Sequence, residues 1–419
     1  MYALVDAVAF YASAEKVFDP SIRDKPVVVL TNNDGCICAV CPIARKLNIP
    51  KFQPYFKVRD YLAKHNVVIR SSNYELYADL SERMMNIVGR FADNQHIYSI
   101  DESFLHFQNY QLLIKNWSDY GLQIRQAVWR ELKLPVGVGF GPTPTLAKAA
   151  NHAAKKLPGF NGVAAIHNDR DSQAILQQMA LQDVWGVGSR LAKKLQLMGM
   201  KSAADLAKQD AKMIKKQFSV VLARTVQELQ GTSCLSWDAV RENKKEIYST
   251  RSFGQRVMHF AILVEALVNH AVIVARKLRK QGSVAKRILV FAASSRHEDN
   301  YYKKQLIYDF SVPTADSRIL AQQVSVMAVQ LFRTNTRFYK VGVGAIELAP
   351  TANMQLSLFS QNQDKPELMK CLDAINQRYG QDTLKLVSQG QHQVWNMKRH
   401  FLSPRYTTHW QDIPKILCD

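Results

Sequence analysis

Three carboxylates stand where carboxylates are costly. Asp6 interrupts the apolar run of residues 2–8, and Asp101 and Glu102 sit side by side within residues 97–105, a stretch rich in β-branched and aromatic residues. An ionised carboxylate inside an apolar strand costs desolvation energy unless a positive group meets it, so such residues either reach water in a turn or hold a cation. Taken alone, the acidic pair reads as an ordinary solvated turn between two strands, and Asp6 reads as well as a strand-end cap for the helix opening at Phe10. Taken together they allow another chemistry. Carboxylates brought together from two strands repel one another, and a pair of Mg²⁺ ions bridged by carboxylates is the usual arrangement for in-line phosphoryl or nucleotidyl transfer.

The elements that would position these groups follow from the patterning. Residues 2–8 predict a strand and residues 10–15 the start of a helix, and residues 25–30 predict a second strand closed by the turn residues Asn32-Asn33-Asp34-Gly35. A short helix carries Ala44 and Arg45. A capping box from Ser72 to Glu75 predicts a long helix through Val88. The strand pair around Asp101 comes next, then a helix over 119–132 with Leu122, Ile124, Val128 and Leu132 on its apolar side, and a strand over 135–139. Strand, helix, two strands, helix, strand is the order of a split βαβ or ferredoxin-like sheet, with residues 12–80 inserted. In that topology Asp6 and the acidic pair converge on one sheet edge. Lys148 and Lys155, seven positions apart on the helix after the last strand, share one face, which reads as solvated unless carboxylates lie beneath it.

Residues 184–190 place Gly186, Val187 and Gly188 between helices. That predicts a helix-hairpin-helix whose backbone amides suit a DNA phosphate and read no sequence; a lone Gly-x-Gly is otherwise an ordinary loop. The charge balance agrees with a polyanionic partner: 55 Lys and Arg against 35 Asp and Glu leave +20. Residues 243–350 alone hold 17 of these bases against seven acids, which points to duplex tracking. No apolar run is long enough to span a membrane and no leader is visible, so the cytoplasm is the expected setting. The six cysteines form no disulfide framework, and Cys36, Cys38 and Cys41 read as buried free thiols. Gln355-Leu356-Ser357-Leu358-Phe359 is an apolar peptide in a polar linker, suited to its own domain or to a partner's groove.

Several motifs then occur in order along the whole chain: Asp6 with Phe10-Tyr11-Ala12-Ser13, Asn32-Asn33-Asp34-Gly35-Cys36, Ser72-Asn73-Tyr74-Glu75-Leu76-Tyr77-Ala78-Asp79, Tyr98-Ser99-Ile100-Asp101-Glu102, Ala150-Asn151-His152-Ala153-Ala154-Lys155-Lys156 and Leu402-Ser403-Pro404-Arg405-Tyr406-Thr407-Thr408. In this combination the chain resembles the UmuC-type translesion DNA polymerases of the Y family. The resemblance implies an α+β multidomain right-hand polymerase. Its parts would be a ferredoxin-like palm (1–11 and 81–165), small fingers (12–80), a helix-hairpin-helix thumb (166–235), an α/β little finger (243–350) and a C-terminal tail (351–419).

The resemblance further implies that Asp6, Asp101 and Glu102, with the Ala7 carbonyl, hold two Mg²⁺ ions, that Tyr11 is the steric gate against a ribose 2′-OH, and that Arg45 and Lys155 contact the triphosphate. Residues 355–359 match the family's β sliding-clamp-binding peptide. Primer-template DNA, dNTPs, a processed UmuD-type dimer and the RecA filament are the implied partners, and error-prone synthesis without proofreading in the SOS response is the implied function. Two departures stand out. Val8 replaces the family's usual Asn near the first metal-site Asp, and Val40 and Ile43 replace its usual Arg and Glu in the fingers. The fingers departure motivates a competing reading, a catalytically weak DNA- and clamp-binding regulator of replication during SOS.

Overall fold

The computed structural model describes residues 1–108, 113–235, 243–353, 364–391 and 395–414. The chain falls into two units with separate cores: Met1–Ala239 with Arg399–Asp419, and Val240–Lys398.

In the first unit, β1 (Tyr2–Ala7) runs through Val8 and Ala9 into α1 (Phe10–Glu15). Ala9 takes the left-handed conformation, φ 49° and ψ 50°, and the bend is held by the Ser13 hydroxyl donating to the Val8 carbonyl at 2.6 Å. β2 (Val27–Leu30), β3 (Ile37–Val40), the single-turn α2 (Pro42–Arg45), α3 (Tyr55–Lys64) and β4 (Val68–Ser71) build a small sheet of order β3-β2-β4. Cys41 caps α2 by accepting from the Ala44 amide at 3.4 Å, and Cys38 donates to the Val29 carbonyl at 3.3 Å, so these thiols serve the local fold.

The main sheet is completed by α4 (Tyr74–Val88), β5 (Asn94–Ile97), β6 (Glu102–His106), α5 (Trp117–Leu132), β7 (Val136–Gly141), α6 (Pro144–Lys156) and β8 (Val163–Ala165). Its order is β5-β6-β1-β7-β8. The first four strands are antiparallel in the ferredoxin-like arrangement, and β8 is added parallel to β7 through the α6 crossover.

Two local expectations shift. The cap of α4 is Asn73, one residue later than expected, because Ser72 spends its hydroxyl on the Leu30 carbonyl and Glu75 pairs with Arg399. On α5 the buried face is Trp117, Gly121, Ile124 and Val128, a 3.6-residue stripe that leaves Leu122 exposed. Beyond the sheet, α7 (Asp169–Gln177), α8 (Ser189–Leu197), α9 (Ala203–Ala207), α10 (Ala211–Gln217) and α11 (Val220–Leu229) pack around one helical core, to which α6 contributes Leu146, Ala149, Ala150 and Ala153.

The second unit consists of β9 (Ile247–Val257), α12 (Phe260–Gln281), β10 (Ser283–Ser294), β11 (Lys303–Thr314), α13 (Ser317–Leu331), β12 (Phe338–Pro350) and α14 (Pro366–Tyr379). The sheet is antiparallel, in the order β11-β10-β12-β9. Part of the basic cluster holds this unit together. Arg279 grips Asp373 of α14 with two bonds of 2.7 Å, Arg287 pairs with Asp309 and Glu347, and Lys286 donates to the Phe310 carbonyl at 2.6 Å. Residues 355–359 lie outside the described residues. No helix among the described residues is long and apolar enough to cross a membrane.

Candidate active site

β1 is flanked on both sides, so Asp6 near its end is held by two ladders. Asp6 lies directly opposite Glu102, and opposed residues project from the same face of a sheet. Asp101 stands in the turn between β5 and β6. There the Tyr98 and Ser99 amides donate to the Glu102 carbonyl at 3.0 and 3.1 Å, and the Ser99 hydroxyl donates to Asp101 Oδ1 at 2.7 Å. The Ala7 amide donates to the Asp101 carbonyl at 3.0 Å and clasps the end of β1 to that turn. The acidic pair thus occupies a hairpin turn, and the Ala7–Asp101 bond holds that turn beside the end of β1.

The lysines reach this edge because α6 lies almost against the β7 backbone. A Cβ on Gly139 would collide with the backbone of Asn151 and Ala147, and one on Gly137 would press on the Lys155 stem at 2.9 Å. Buried Asn151 locks the approach by donating to the Leu4 and Gly137 carbonyls at 3.1 and 2.8 Å. From this face Lys155 Nζ meets Asp6 Oδ2 at 2.5 Å, and Lys148 Nζ meets the two Glu102 oxygens at 3.2 and 3.0 Å. Lys148 also lies over the Tyr98 and Trp185 rings, 4.7 and 5.0 Å from their centroids, so its ammonium is caged by one carboxylate and two aromatic faces.

Asp6 lies under opposing electrostatic influences. Burial pushes its carboxyl up to about 6; Lys155 pulls the other way, while Glu102 and Asp101 add to the rise. Across the site, Tyr11 stacks on Tyr77 with centroids 4.5 Å apart and 15° between planes, and Tyr74 meets it edge-on at 6.3 Å. Burial raises the Tyr11 hydroxyl, with Tyr74, Cys38 and Asp101 adding to it.

Arg45 ends α2, beside the small sheet. Its companion there is Lys51, whose ammonium is depressed by burial and by the Arg45 charge, and supported by Cys38, Asp101 and Asp6. Lys51 is within electrostatic reach of two of the three carboxylates, yet it follows Pro50 in a loop with no periodicity to announce it. Trp185 and Tyr98 were equally illegible as a lysine cage. Val40, one of the residues that depart from the family pattern, is buried at 1% exposure at the end of β3. Its side chain packs into the core of the first unit, and Lys51 is the cation of this segment within electrostatic reach of Asp6 and Asp101.

Residues 186–188 follow Trp185 directly in the same unit. Gly186 has φ +87°, a left-handed turn position, and Gly188 precedes α8. The Val187 amide is consumed in its own turn by the Val184 carbonyl at 3.0 Å, and its side chain is buried, whereas Gly186 and Gly188 are exposed.

Hard carboxylate and carbonyl oxygens at Asp6, Ala7, Asp101 and Glu102 are the donor set that suits Mg²⁺, and the mutual rise they impose on Asp6 is the repulsion a cation would relieve. Among the described residues no three His, Cys, Asp or Glu side chains are drawn together closely enough to hold an ion. Two of the carboxylates are engaged by Lys155 and Lys148 instead.

Comparison with known proteins gives this geometry a context. The impB/mucB/samB family matches residues 5–152 and its C-terminal domain matches residues 244–358; a domain of unknown function, DUF4113, matches residues 366–416. The chain is 39% identical to Protein UmuC of Salmonella typhimurium (strain LT2) over 99% of its own length and 100% of that protein's. It is 39% identical to Protein SamB of Salmonella typhimurium over 99% of each. Among solved structures, the Y-family DNA polymerase chimera Dbh-Dpo4(243-245)-Dbh superposes with a TM-score of 0.62 at 20% identity, over 85% of this chain and 99% of that one. Full-length identity at this level and the matched family domains place the chain in one group: it belongs to the impB/mucB/samB family, together with UmuC and SamB.

Proposed function

We propose that the chain carries out Mg²⁺-dependent, template-directed DNA synthesis past damaged template bases, without proofreading, as part of the SOS response in the cytoplasm. The observation that carries this reading is the opposition of Asp6 and Glu102, with Asp101 clasped to Ala7, beneath two lysines of one helix face.

Asp6, Asp101, Glu102 and the Ala7 carbonyl would hold two Mg²⁺ ions, which when bound supply charge neutralisation for the triphosphate and acidify the primer 3′-hydroxyl. The chain's own residues do the rest. Lys155, which pairs with Asp6, would turn to the phosphates when a triphosphate binds, and Lys51, with Arg45 beside it, would add positive charge from the fingers. The Tyr11 ring, fixed on Tyr77, presents a flat apolar floor under the sugar, and a 2′-hydroxyl would clash with it. Lys148 keeps Glu102 oriented. The amides of Gly186 and Gly188 and the basic second unit would follow the DNA backbone. Residues 355–359 would dock in the β sliding clamp, with a processed UmuD-type dimer and a RecA filament as the remaining partners.

The test is primer extension across an abasic site with Mg²⁺, clamp, UmuD-type partner and RecA filament present, comparing the intact chain with Asp101→Ala and with a chain lacking Leu358 and Phe359. Synthesis that disappears in Asp101→Ala and loses its dependence on the clamp in the deleted chain is the expected pattern. Incorporation independent of Asp101, or none by the intact chain, removes the polymerase reading; in the second case DNA binding without dNTP binding leaves the regulator.

A further inference from the structure

The C-terminal motif at residues 402–408 has no part in the chemistry above, and it lies in a matched domain of unknown function. The described residues from Arg399 onward belong to the first unit, so the chain returns there after completing the second. What it returns to is the support of the Tyr11 ring.

The docking is made largely by backbone. The Ser71 amide at the end of β4 donates to the Phe401 carbonyl at 2.9 Å, and the Phe401 amide donates to the Ser71 hydroxyl at 3.0 Å. The His400 amide donates to Asp34 at 2.8 Å, and the same carboxylate accepts from the Ser71 hydroxyl at 2.5 Å. Asn73, wholly buried, caps α4 with its side-chain oxygen and spends its amide nitrogen on Ser403 and Pro404, with the Ser403 hydroxyl at 3.0 Å. Tyr406 stacks on Phe18 with centroids 5.0 Å apart.

Ser403 is buried at 5% exposure, beside Glu15 at 1%. Burial raises the Glu15 carboxyl, and the hydroxyls of Tyr77 and Ser403 both favour its charged form. Tyr77 donates to Glu15 at 2.5 Å, and the face of Tyr77 is the platform of Tyr11. A buried carboxylate needs its donors to keep one geometry. Through Asn73 the strap sets the start of α4, the helix that carries Tyr77 and with it the donor to Glu15.

We propose that residues 399–409 are an intramolecular strap that positions the sugar gate, with Ser403 acting through Asn73 and α4 on Tyr77 and Tyr11 and thereby tuning selection between deoxyribose and ribose. This rests on the reading of Tyr11 as the gate, and it gives the C-terminal segment a role in the reaction itself. Ser403 and Asn73 are positioning residues.

The test measures kcat and KM for dNTP and rNTP incorporation by the full chain and by Ser403→Ala, Asn73→Ala and Tyr11→Ala. Primer-template affinity and amide hydrogen exchange at Ser71 and Phe401 are followed in parallel. Ser403→Ala and Asn73→Ala are expected to raise rNTP incorporation relative to dNTP by about tenfold, mainly through KM, with DNA affinity held within about twofold. Faster exchange at Ser71 or Phe401 with sugar selection unchanged makes the strap merely structural and overturns the proposal. Tyr11→Ala separates the two readings. No gain in rNTP use there defeats the gate and the strap with it, whereas a gain there with none in Ser403→Ala defeats the strap alone. Should Asn73→Ala fail to fold, Ser403→Ala, which removes one hydroxyl, decides the matter.

Discussion

Burial holds the Asp6 carboxyl at about 6, above its ordinary 3.8, so the folded state binds a proton that the unfolded state has released between those values. Its ionised form therefore costs stability, the cost growing as pH rises from about 4 and complete above about 6. Asp6→Asn is expected to stabilise the metal-free chain by about 1 to 3 kcal/mol at pH 7.5 and by nothing below pH 4, read from urea unfolding at the two pH values. A gain that persists at low pH would locate the effect outside this titration. Lys51 is the other residue whose position speaks before any ligand is added. Lys51→Ala is expected to raise the KM for dNTP about tenfold with little change in kcat, and steady-state kinetics at saturating DNA would show an unchanged KM if the side chain serves only solubility.

At the scale of elements, the site depends on how closely a helix can approach a strand. β7 alternates glycine with bulky residues, so one of its faces is bare, and α6, built largely of alanine with Lys148 and Lys155 on one side, settles onto it. The two lysines reach the carboxylates only because of that contact. Gly139→Ala, which puts one methyl group into the Asn151 backbone, is expected to cost about 2 to 3 kcal/mol and to lose synthesis more completely than stability, since any outward shift of α6 carries both ammonium groups away. Thermal unfolding and primer extension on the same preparation check it. The turn at Ala9 is the opposite case, a left-handed residue without glycine, held by the hydroxyl of Ser13.

At the scale of the molecule, the chain builds two cores and crosses between them twice, once after residue 235 and again at Arg399. The second unit contains all of its own sheet, helices α12 to α14 and the Arg279–Asp373 clamp, so a fragment of residues 243–398 is expected to unfold cooperatively and to bind duplex DNA with an affinity that falls linearly with the logarithm of salt. A non-cooperative melt would make that core dependent on the first unit. The first unit is not contiguous: without residues 399–414 it loses the partners of Ser71, Asn73 and Asp34.

Much of this was legible in residue order. The carboxylates betrayed themselves as charges in apolar strands, the lysines by their sevenfold spacing, and the split βαβ order named the sheet that brings them together. Lys51, the aromatic cage of Lys148 and the strap were not legible, because each is a contact between segments tens to hundreds of residues apart, where no local period exists. The two units make the division plain. Both run as strand, helix, strand, strand, helix, strand, leaving aside the insertion in the first. Numbered within each unit, the strands of the first pair as 2-3-1-4 and those of the second as 3-2-4-1. Periodicity states which residues must be buried. Which strand they are buried beside is decided by helix packing and long-range contacts, and at Asp6 that decision is what sets a carboxylate opposite Glu102 and under Lys155.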